Sequence, residues 1–437
     1  MSLAPIILAV AVLIALIAWG RVQPFVAFII ASILGAVLLG MPLEKIPRSI
    51  EHGIGDLLGS LAAIIVLGAM YGKLIADSGA AQRIAGTLVR GFGPARMTLA
   101  MACTGFVVGI PLFYNVGFVI LVPLVFSMTA QSKLPPVYLG VPLLAGLSID
   151  HGFLPPHPSP AAIVTQFGAD MGLTLTYGII VAIPTLLITG PLFALTVKRI
   201  RSEPSELFTP KLMDEAHLPG AFNSFFCALL PVVLITAATA LDYVPGIDAR
   251  THAFIAFAGD PMLVMLFSLV VATISLGLAR GMKPKAMMDG FGLAIRDIAV
   301  ILLIVAGAGA FKQVFVDSGA DATIGRTLQS LPVHPLVLGW FIAMIIRICL
   351  GSATAAGLTA AGLVEPLVVH SGVNPNLMVL AIGAGSMMCS HVNDSGFWLF
   401  KEYFNISLKD TFRSWTLMET LVGVCGIVFV LILNAAL

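Results

Sequence analysis

Long apolar stretches alternate with short polar segments along the whole chain of 437 residues. An apolar stretch of roughly 17 to 25 residues is long enough to cross the hydrocarbon core of a bilayer as a helix. The pattern therefore predicts five membrane-spanning helices in each half of the chain. They are 3–19, 24–41, 54–76, 137–154 and 173–197 in the first half, and 221–241, 260–280, 293–316, 376–400 and 415–436 in the second.

Two further apolar stretches, 97–130 and 335–369, have a polar centre with glycines and are too long for a single span. Divided in two, each gives arms of about 15 residues, which are short of the roughly 20 that a crossing needs. Irregular backbone at membrane depth is tolerated only where it is buried in protein or lines a cavity. We therefore predict two re-entrant hairpins, each entering and leaving the membrane on one face.

Two of the predicted helices are interrupted by polar residues. The interruptions run from Ser148 to Pro158 and from Ser390 to Phe397. The first contains or adjoins four prolines, which lack the amide hydrogen that a helix needs, so regular helix is not expected from Leu154 onward.

The two halves match each other at an offset of 240 residues. His151 and His391 are 240 residues apart, and the motif Asp77–Ala80 recurs at Asp317–Ala320. Five crossings per half is an odd number, which inverts one repeat relative to the other, and interrupted segments at matching places are typical of secondary transporters. The predicted units are a first repeat 1–199, a linker 200–220 and a second repeat 221–437.

Composition supports a membrane location. The chain is 59% hydrophobic and 10% charged, with a mean hydropathy of +1.03, so it is predicted to be an integral membrane protein. Its net charge of +1 predicts no nucleic-acid partner. The five cysteines lie in apolar runs without metal-ligand spacing, and no metal or other cofactor is expected.

The basic residues of the loops predict the orientation, because cytoplasmic loops carry the excess of Lys and Arg. One face collects fifteen of them and the other four, which places both termini outside, the first hairpin on the cytoplasmic side and the second on the outer side. The fifteen are Arg21, Arg83, Arg90, Arg96, Lys133, Lys198, Arg199, Arg201, Lys211, Arg280, Lys283, Lys285, Lys401, Lys409 and Arg413, and the four are Lys45, Arg48, Arg250 and Arg326.

The hairpin tips, 109–117 and 349–357, are candidate anion sites. The second arm of each hairpin begins there, with free backbone N–H groups at the positive end of a helix. Asn115, Ser352 and Thr354 would add side-chain donors. Alternatively, the glycines serve helix packing and the hydroxyls bond their own backbone.

The first interruption carries the ionisable residues Asp150, His151 and His157. Such residues are costly at membrane depth unless they have a partner or a water-filled cavity, and histidine titrates near neutral pH, which suits a proton carrier. Alternatively, these side chains cap the helix ends, where their hydrogen bonds are all formed.

The second interruption carries Asn393, which could bond a hydroxyl of a polyol, and Asp394, which could accept a proton or a hydrogen bond. Arg347 and Glu365 lie on the two arms of the second hairpin. If they pair, they are structural; if Arg347 is free, it is a candidate counter-ion for a carboxylate, and Glu365 is a candidate proton site.

These motifs resemble the gluconate:proton symporter family, also called the gluconate permease family, over nearly the whole chain. The resemblance rests on Gly105–Phe118, His151–Pro158, Gly351–Thr354 and Ser390–Phe404. It implies proton-driven uptake of a small sugar acid across a bacterial inner membrane. It also implies a fold of the ion-transporter superfamily, in which scaffold domains form a dimer and the hairpin-bearing domains move. Some family members carry Glu at the position of Asn115 and a small residue at that of Glu365, so an acidic group would be relocated in this chain.

The resulting hypothesis is transport by alternating access. The two hairpin tips and the two helix breaks would meet near the middle of the membrane and hold a hydroxy-carboxylate between them. The carboxylate would sit on hairpin N–H groups with Ser352 and Thr354. The hydroxyls would bond Asn115, His151 and Asn393, and His157 is a further candidate for substrate binding. The proton would sit on Asp150, His151 or Asp394. Related carriers leave idonate, fructuronate and D-serine as alternative substrates. Two other classes compete: a passive channel, and an intramembrane metal-dependent hydrolase using the zinc-ligand types among Asp150, His151, His157, His391 and Asp394. The spacing of these residues and the repeat favour a transporter over an enzyme.

Overall fold

The computed structural model of the chain describes residues 4–202, 213–242, 244 and 247–437, which form α-helices joined by short turns. The all-helical prediction is confirmed, and the described part of the chain contains nine helices long and apolar enough to cross a membrane. The helices of the first half are α1 (Ala4–Ala18), α2 (Pro24–Leu38), α3 (Ile46–Asp77), α4 (Ala80–Phe92), α5 (Met97–Gly109), α6 (Tyr114–Ser132), α7 (Pro136–Phe153), α8 (Pro158–Phe167), α9 (Met171–Leu187) and α10 (Phe193–Val197).

The second half repeats this order with one additional helix. Its helices are α11 (Ala221–Asp242), α12 (Ala249–Ala258), α13 (Pro261–Ala272), α14 (Pro284–Asp317), α15 (Ala320–Gln329), α16 (Pro335–Leu350), α17 (Ala353–Ser371), α18 (Pro375–Met387), α19 (Ser395–Phe404), α20 (Leu408–Thr411) and α21 (Leu417–Ala436). The additional helix is α12, which the hydrophobic pattern did not predict. Residues 203–212 of the predicted linker, with Lys211, lie outside the described residues.

The repeated motif Asp-Ser-Gly-Ala is the same turn in both halves. Gly79 and Gly319 adopt φ angles of +77° and +70°, a left-handed conformation that glycine adopts without steric cost. Each turn ends a long helix and starts a short one, α4 after α3 and α15 after α14. The sequence reading missed α4 and α15 because it searched for continuous apolar runs, and both short helices carry polar residues.

Two helix pairs form hairpins, α5 with α6 and α16 with α17, and two pairs form broken helices, α7 with α8 and α18 with α19. The prediction that every hairpin arm is too short to cross was wrong for α6 and α17, which have 19 residues each and are among the nine long apolar helices. The prediction that no regular helix follows from Leu154 onward is correct for the break but wrong after it. The helix ends after Phe153 and resumes at Pro158, because a proline in the first turn of a helix loses no intrahelical hydrogen bond.

The interior is built around α7 and α18, whose side chains are buried along nearly their whole lengths. The two helices contact each other, and α17 of the second hairpin contacts α8 of the first broken helix. This interlocking brings both breaks and both hairpin tips together.

The two longest helices, α3 and α14, cross in backbone contact. A Cβ atom on Gly53 would lie 2.3 Å from the carbonyl oxygen of Gly309, and one on Gly309 would lie 2.2 Å from that of Gly53. These distances are too short for any side chain, so the crossing requires glycine on both helices.

We expect Gly309→Ala to lower the free energy of unfolding by about 1–3 kcal/mol, because the added methyl forces the helices apart. Gly292→Ala on the same helix is the matched control, since a Cβ there meets nothing within 4 Å in the described structure. Thermal unfolding of both variants in detergent measures the difference. Equal melting temperatures would contradict the required contact.

Candidate functional site

Both hairpin tips and both helix breaks meet at one cavity of about 200 Å³. Helix α14 closes it with two isoleucines. The sequence-predicted residues that line it are Asn115, His151, Ser352, Thr354 and Asp394, and the other lining residues are Phe113, Tyr114, Pro158, Ile301, Ile304, Gly351, Ala353, Ser395 and Gly396.

Four helices begin at this cavity: α6, α8, α17 and α19. The first-turn N–H groups of a helix have no intrahelical partner, and its N-terminus carries a partial positive charge. At α17, Ser352 Oγ accepts a hydrogen bond from the N–H of Ala355 at 3.3 Å, whereas the N-cap of α6, Phe113, has no side chain that could cap it. The cavity is thus suited to an anion without a cation in its lining.

An ion pair lies behind the second break. Arg347 Nη2 donates to Asp394 Oδ2 at 2.5 Å, and the two side chains are 3% and 15% exposed. Ser390 Oγ also donates to Asp394 Oδ2, and Trp415 Nε1 donates to Ser390 Oγ at 2.7 Å. The Nε and Nη1 atoms of Arg347 are buried and have no hydrogen-bond partner among the described residues.

Neither sequence alternative for Arg347 describes this arrangement. Arg347 pairs with Asp394 and not with Glu365, and it is not among the cavity-lining residues. Glu365 pairs instead with Lys312 of α14, whose Nζ lies 2.8 Å from Glu365 Oε1. Glu365 therefore lies in a second ion pair away from the cavity lining.

The side chains of His157 and Asn393 form hydrogen bonds with backbone carbonyl groups next to the cavity. The Nε2 atom of His157 lies 3.1 Å from the carbonyl oxygen of Gly109, which joins the first break to the first hairpin. Asn393 Nδ2 donates to the carbonyl oxygen of Ile348 at 2.8 Å, which joins the second break to the second hairpin. Each contact holds a tip against a break.

The neighbours Asp150 and His151 point into different surroundings. His151 lines the cavity, and the centroid of its ring lies 6.0 Å from that of Tyr114. Asp150 is fully buried against the first hairpin, since a Cβ on Gly109 would lie 2.0 Å from its Oδ2. Neither carboxyl oxygen of Asp150 has a hydrogen-bond partner within the described part of the chain.

A match to known proteins agrees with this geometry. The family model described as GntP family permease matches residues 1–436. The chain belongs to this family. It is a transporter and a multi-pass integral protein of the bacterial inner membrane, and the family resemblance seen in the sequence is confirmed.

Several relatives of this GntP family member have assigned names. The chain is 46% identical to a high-affinity gluconate transporter of Escherichia coli K12 over 95% of both chains. It is 45% identical to the Gnt-II system L-idonate transporter of the same strain, over 98% of both. It is 44% identical to the gluconate permease of Bacillus subtilis 168, over 99% of both.

Two solved structures share the fold at low sequence identity. The YdaH transporter of Alcanivorax borkumensis gives a TM-score of 0.68 at 15% identity, covering 94% of this chain and 97% of that one. MtrF of Neisseria gonorrhoeae gives 0.67 at 13% identity, covering 96% of each. Both likenesses extend over almost the entire chain and support the fold.

The hydrolase alternative is excluded by the family, whose members are permeases. The prediction that this GntP family chain is not an enzyme is therefore confirmed. Among the residues with described positions, no group of three His, Cys, Asp or Glu side chains could hold a metal ion.

The sequence reading of this permease missed one buried acid. Glu419 of α21 is 1% exposed, and its Oε1 accepts a hydrogen bond from Ser148 Oγ at 2.5 Å. A single carboxyl within the last apolar run was available as a signal, because ionisable residues inside membrane spans are functional candidates by default.

Proposed function

We propose that the chain is a proton-coupled symporter that takes up gluconate or a closely related sugar acid by alternating access. The observation that carries the proposal is the cavity at which four helix N-termini and both breaks meet. Its volume of about 200 Å³ is below the roughly 300–1,000 Å³ of pockets for drug-sized ligands, which suits a small polyhydroxy acid. The names of the relatives support the same substrate class.

In this proposal the carboxylate binds at the second hairpin tip, where Ser352 and Thr354 lie beside the N-terminus of α17. Asn115 and His151 bond the hydroxyl groups from the opposite side. The ion pair of Arg347 with Asp394 stiffens the wall behind the tip, and Asp394 offers an acceptor to a hydroxyl. A proton bound near the anion offsets its charge during transport, and Asp150, His151 and Asp394 are candidates to carry it.

The proposed architecture is two inverted repeats, 1–199 and 221–437, with both termini outside and a re-entrant hairpin in each. The element order supports it, because each half presents three helices, a hairpin, a broken helix and a last helix, apart from the short helices α4, α12 and α15. Following the family resemblance, we propose a homodimer whose hairpin-bearing parts move.

Uptake of labelled gluconate into proteoliposomes, with and without an inward proton gradient, tests the function. We expect saturable uptake that the gradient stimulates, with unlabelled idonate, fructuronate and D-serine as competitors. The identities to the gluconate and idonate transporters, 46% and 45%, do not separate these two substrates, so the ranking must come from competition. Uptake that ignores the gradient would contradict proton coupling.

Thr354→Val tests the carboxylate site. The side chain keeps its shape and loses the hydroxyl, so we expect gluconate affinity to fall about ten-fold, equivalent to about 1.4 kcal/mol. Thr359→Val is the matched control on the same helix, because Thr359 Oγ1 already donates to the carbonyl oxygen of Ala355 at 2.7 Å. Equilibrium binding of labelled gluconate measures both. Equal affinities would place the carboxylate elsewhere.

A further inference from the structure

Glu419 is a buried carboxyl that the proposed site does not yet use. It is 1% exposed, and the hydroxyl of Ser148 donates to one of its oxygens at 2.5 Å. The other oxygen, Oε2, has no hydrogen-bond partner among the residues that the structure describes. A lone carboxylate is costly in such surroundings, so its charge must be compensated or removed by a proton.

The groups that act electrostatically on Glu419 belong to the site. Arg347, Asp394 and the hydroxyl of Tyr114 all interact with its carboxyl through space. Tyr114 lines the cavity, and its hydroxyl is buried. Glu419 therefore shares its electrostatic surroundings with whatever occupies the cavity.

The other elements that contact α21 add few charges. Helices α9 and α18 carry no Asp, Glu, Lys, Arg or His within their described lengths, and α16 carries only Arg347. Helix α7 carries Asp150, which packs against Gly109, and His151, which packs against Tyr114. Arg413, in the π-helical turn before α21, is exposed.

A chain of hydrogen bonds joins the segment that carries Glu419 to the wall of the cavity. Trp415 lies one helical turn before Glu419 and donates to Ser390, which in turn donates to Asp394. Asp394 lines the cavity. These hydrogen bonds connect the second break to the helical turn that precedes Glu419.

We propose that Glu419 binds the coupled proton; the inference rests on the proposed function. Arg347 and Asp394 form a pair without net charge. In the empty carrier an ionised Glu419 is stabilised by the Ser148 hydroxyl and by Arg347, whose Nε and Nη1 have no described partner. When a sugar-acid anion enters, one guanidinium would face three carboxylates, so Glu419 takes up a proton and the loaded carrier keeps the charge of the empty one.

The alternative carriers have a physical disadvantage. Protonating Asp394 would leave the buried Arg347 without its counter-ion. Asp150 has no hydrogen-bond donor in the described surroundings to stabilise an ionised form, so it does not cycle between two charge states. Protonating His151 would place a second cation beside Arg347. The Ser148 hydroxyl donates to ionised Glu419, and its oxygen can accept a hydrogen bond from the protonated carboxyl.

The test compares wild type with Glu419→Gln in proteoliposomes. Glutamine keeps an oxygen that can accept the Ser148 hydrogen bond but cannot exchange a proton. We expect gluconate exchange at equal pH on both sides to stay within about threefold of wild type, whereas accumulation driven by a proton gradient falls at least about ten-fold. An internal pH dye should report proton entry with gluconate for wild type and none for the variant.

Two controls use the same chemical change elsewhere. Glu51→Gln, at an exposed position of α3, and Glu44→Gln, at an exposed position just before α3, should both retain gradient-driven accumulation and proton entry. Accumulation by Glu419→Gln that matches wild type would overturn the inference. A wild type that ignores the gradient would instead overturn the proposed function, so the two failures are distinguishable.

Glu419→Asp covers the case in which the glutamine variant does not fold. Aspartate keeps the titratable group on a shorter side chain, so transport slows while proton entry per gluconate stays at the wild-type value. An aspartate variant that moves gluconate without proton entry would also overturn the inference.

Discussion

Arg347→Met is expected to abolish gluconate accumulation and to lower the free energy of unfolding by about 3–5 kcal/mol, because it leaves the partly buried carboxylate of Asp394 without compensation. The pair is close, at 2.5 Å, and Arg347 is only 3% exposed, so the guanidinium is lost from a buried position. Thermal unfolding in detergent and uptake into proteoliposomes measure the two effects.

A double variant separates charge from shape at this pair. Arg347→Met with Asp394→Asn removes both charges, so most of the lost stability should return, whereas transport should not, because Asp394 lines the cavity. Lys401→Met is the matched single control: its partner Glu402 is 58% exposed, and such a pair contributes at most about 1 kcal/mol. An Arg347→Met protein as stable as wild type would contradict the stabilising role of this ion pair.

The sequence located the cavity because breaks and hairpin tips are local features. Prolines and polar residues inside apolar runs identify a break whatever its neighbours are. Five of the predicted site residues line the same cavity for that reason: Asn115, His151, Ser352, Thr354 and Asp394. Their roles in binding and proton transfer stay predictions.

Contacts between side chains that are far apart in the sequence could not be predicted in the same way. Arg347 lies one turn before the tip of the second hairpin, whereas Glu365 lies about 18 Å along α17 from its first residue, at about 1.5 Å per residue. In an antiparallel hairpin the two residues are therefore at different heights. The packing of α16 against α18 decides that Arg347 meets the break instead.

The sequence pattern failed to reveal the short helices α4 and α15 and the buried acid Glu419 for a different reason. A search for continuous apolar runs passes over α4 and α15, which carry polar residues, and it accepts Glu419 as a minor interruption of α21. Burial gives Glu419 its importance, and burial depends on α7 supplying Ser148 opposite it. That juxtaposition joins residues 271 positions apart.

Gly351→Ala is expected to reduce gluconate uptake by roughly 100-fold, the scale at which a misplacement of about 1 Å affects a catalytic site. Gly351 forms the tip between α16 and α17 with a φ angle of +76°, and a Cβ there would lie 2.2 Å from the backbone oxygen of Asn393. The methyl group would therefore strain the tip and push the second break away from it. Uptake rate and gluconate affinity in proteoliposomes measure the effect.

Gly372→Ala provides the matched control, because Gly372 also has a positive φ angle, +68°, and a Cβ there meets nothing within 4 Å in the described structure. Both variants carry a left-handed alanine, which costs about 1–2 kcal/mol. Only Gly351→Ala also displaces Asn393, whose side chain joins the break to Ile348 of the hairpin. A loss of transport in Gly351→Ala alone therefore assigns the effect to the contact between tip and break, whereas equal losses would assign it to backbone strain.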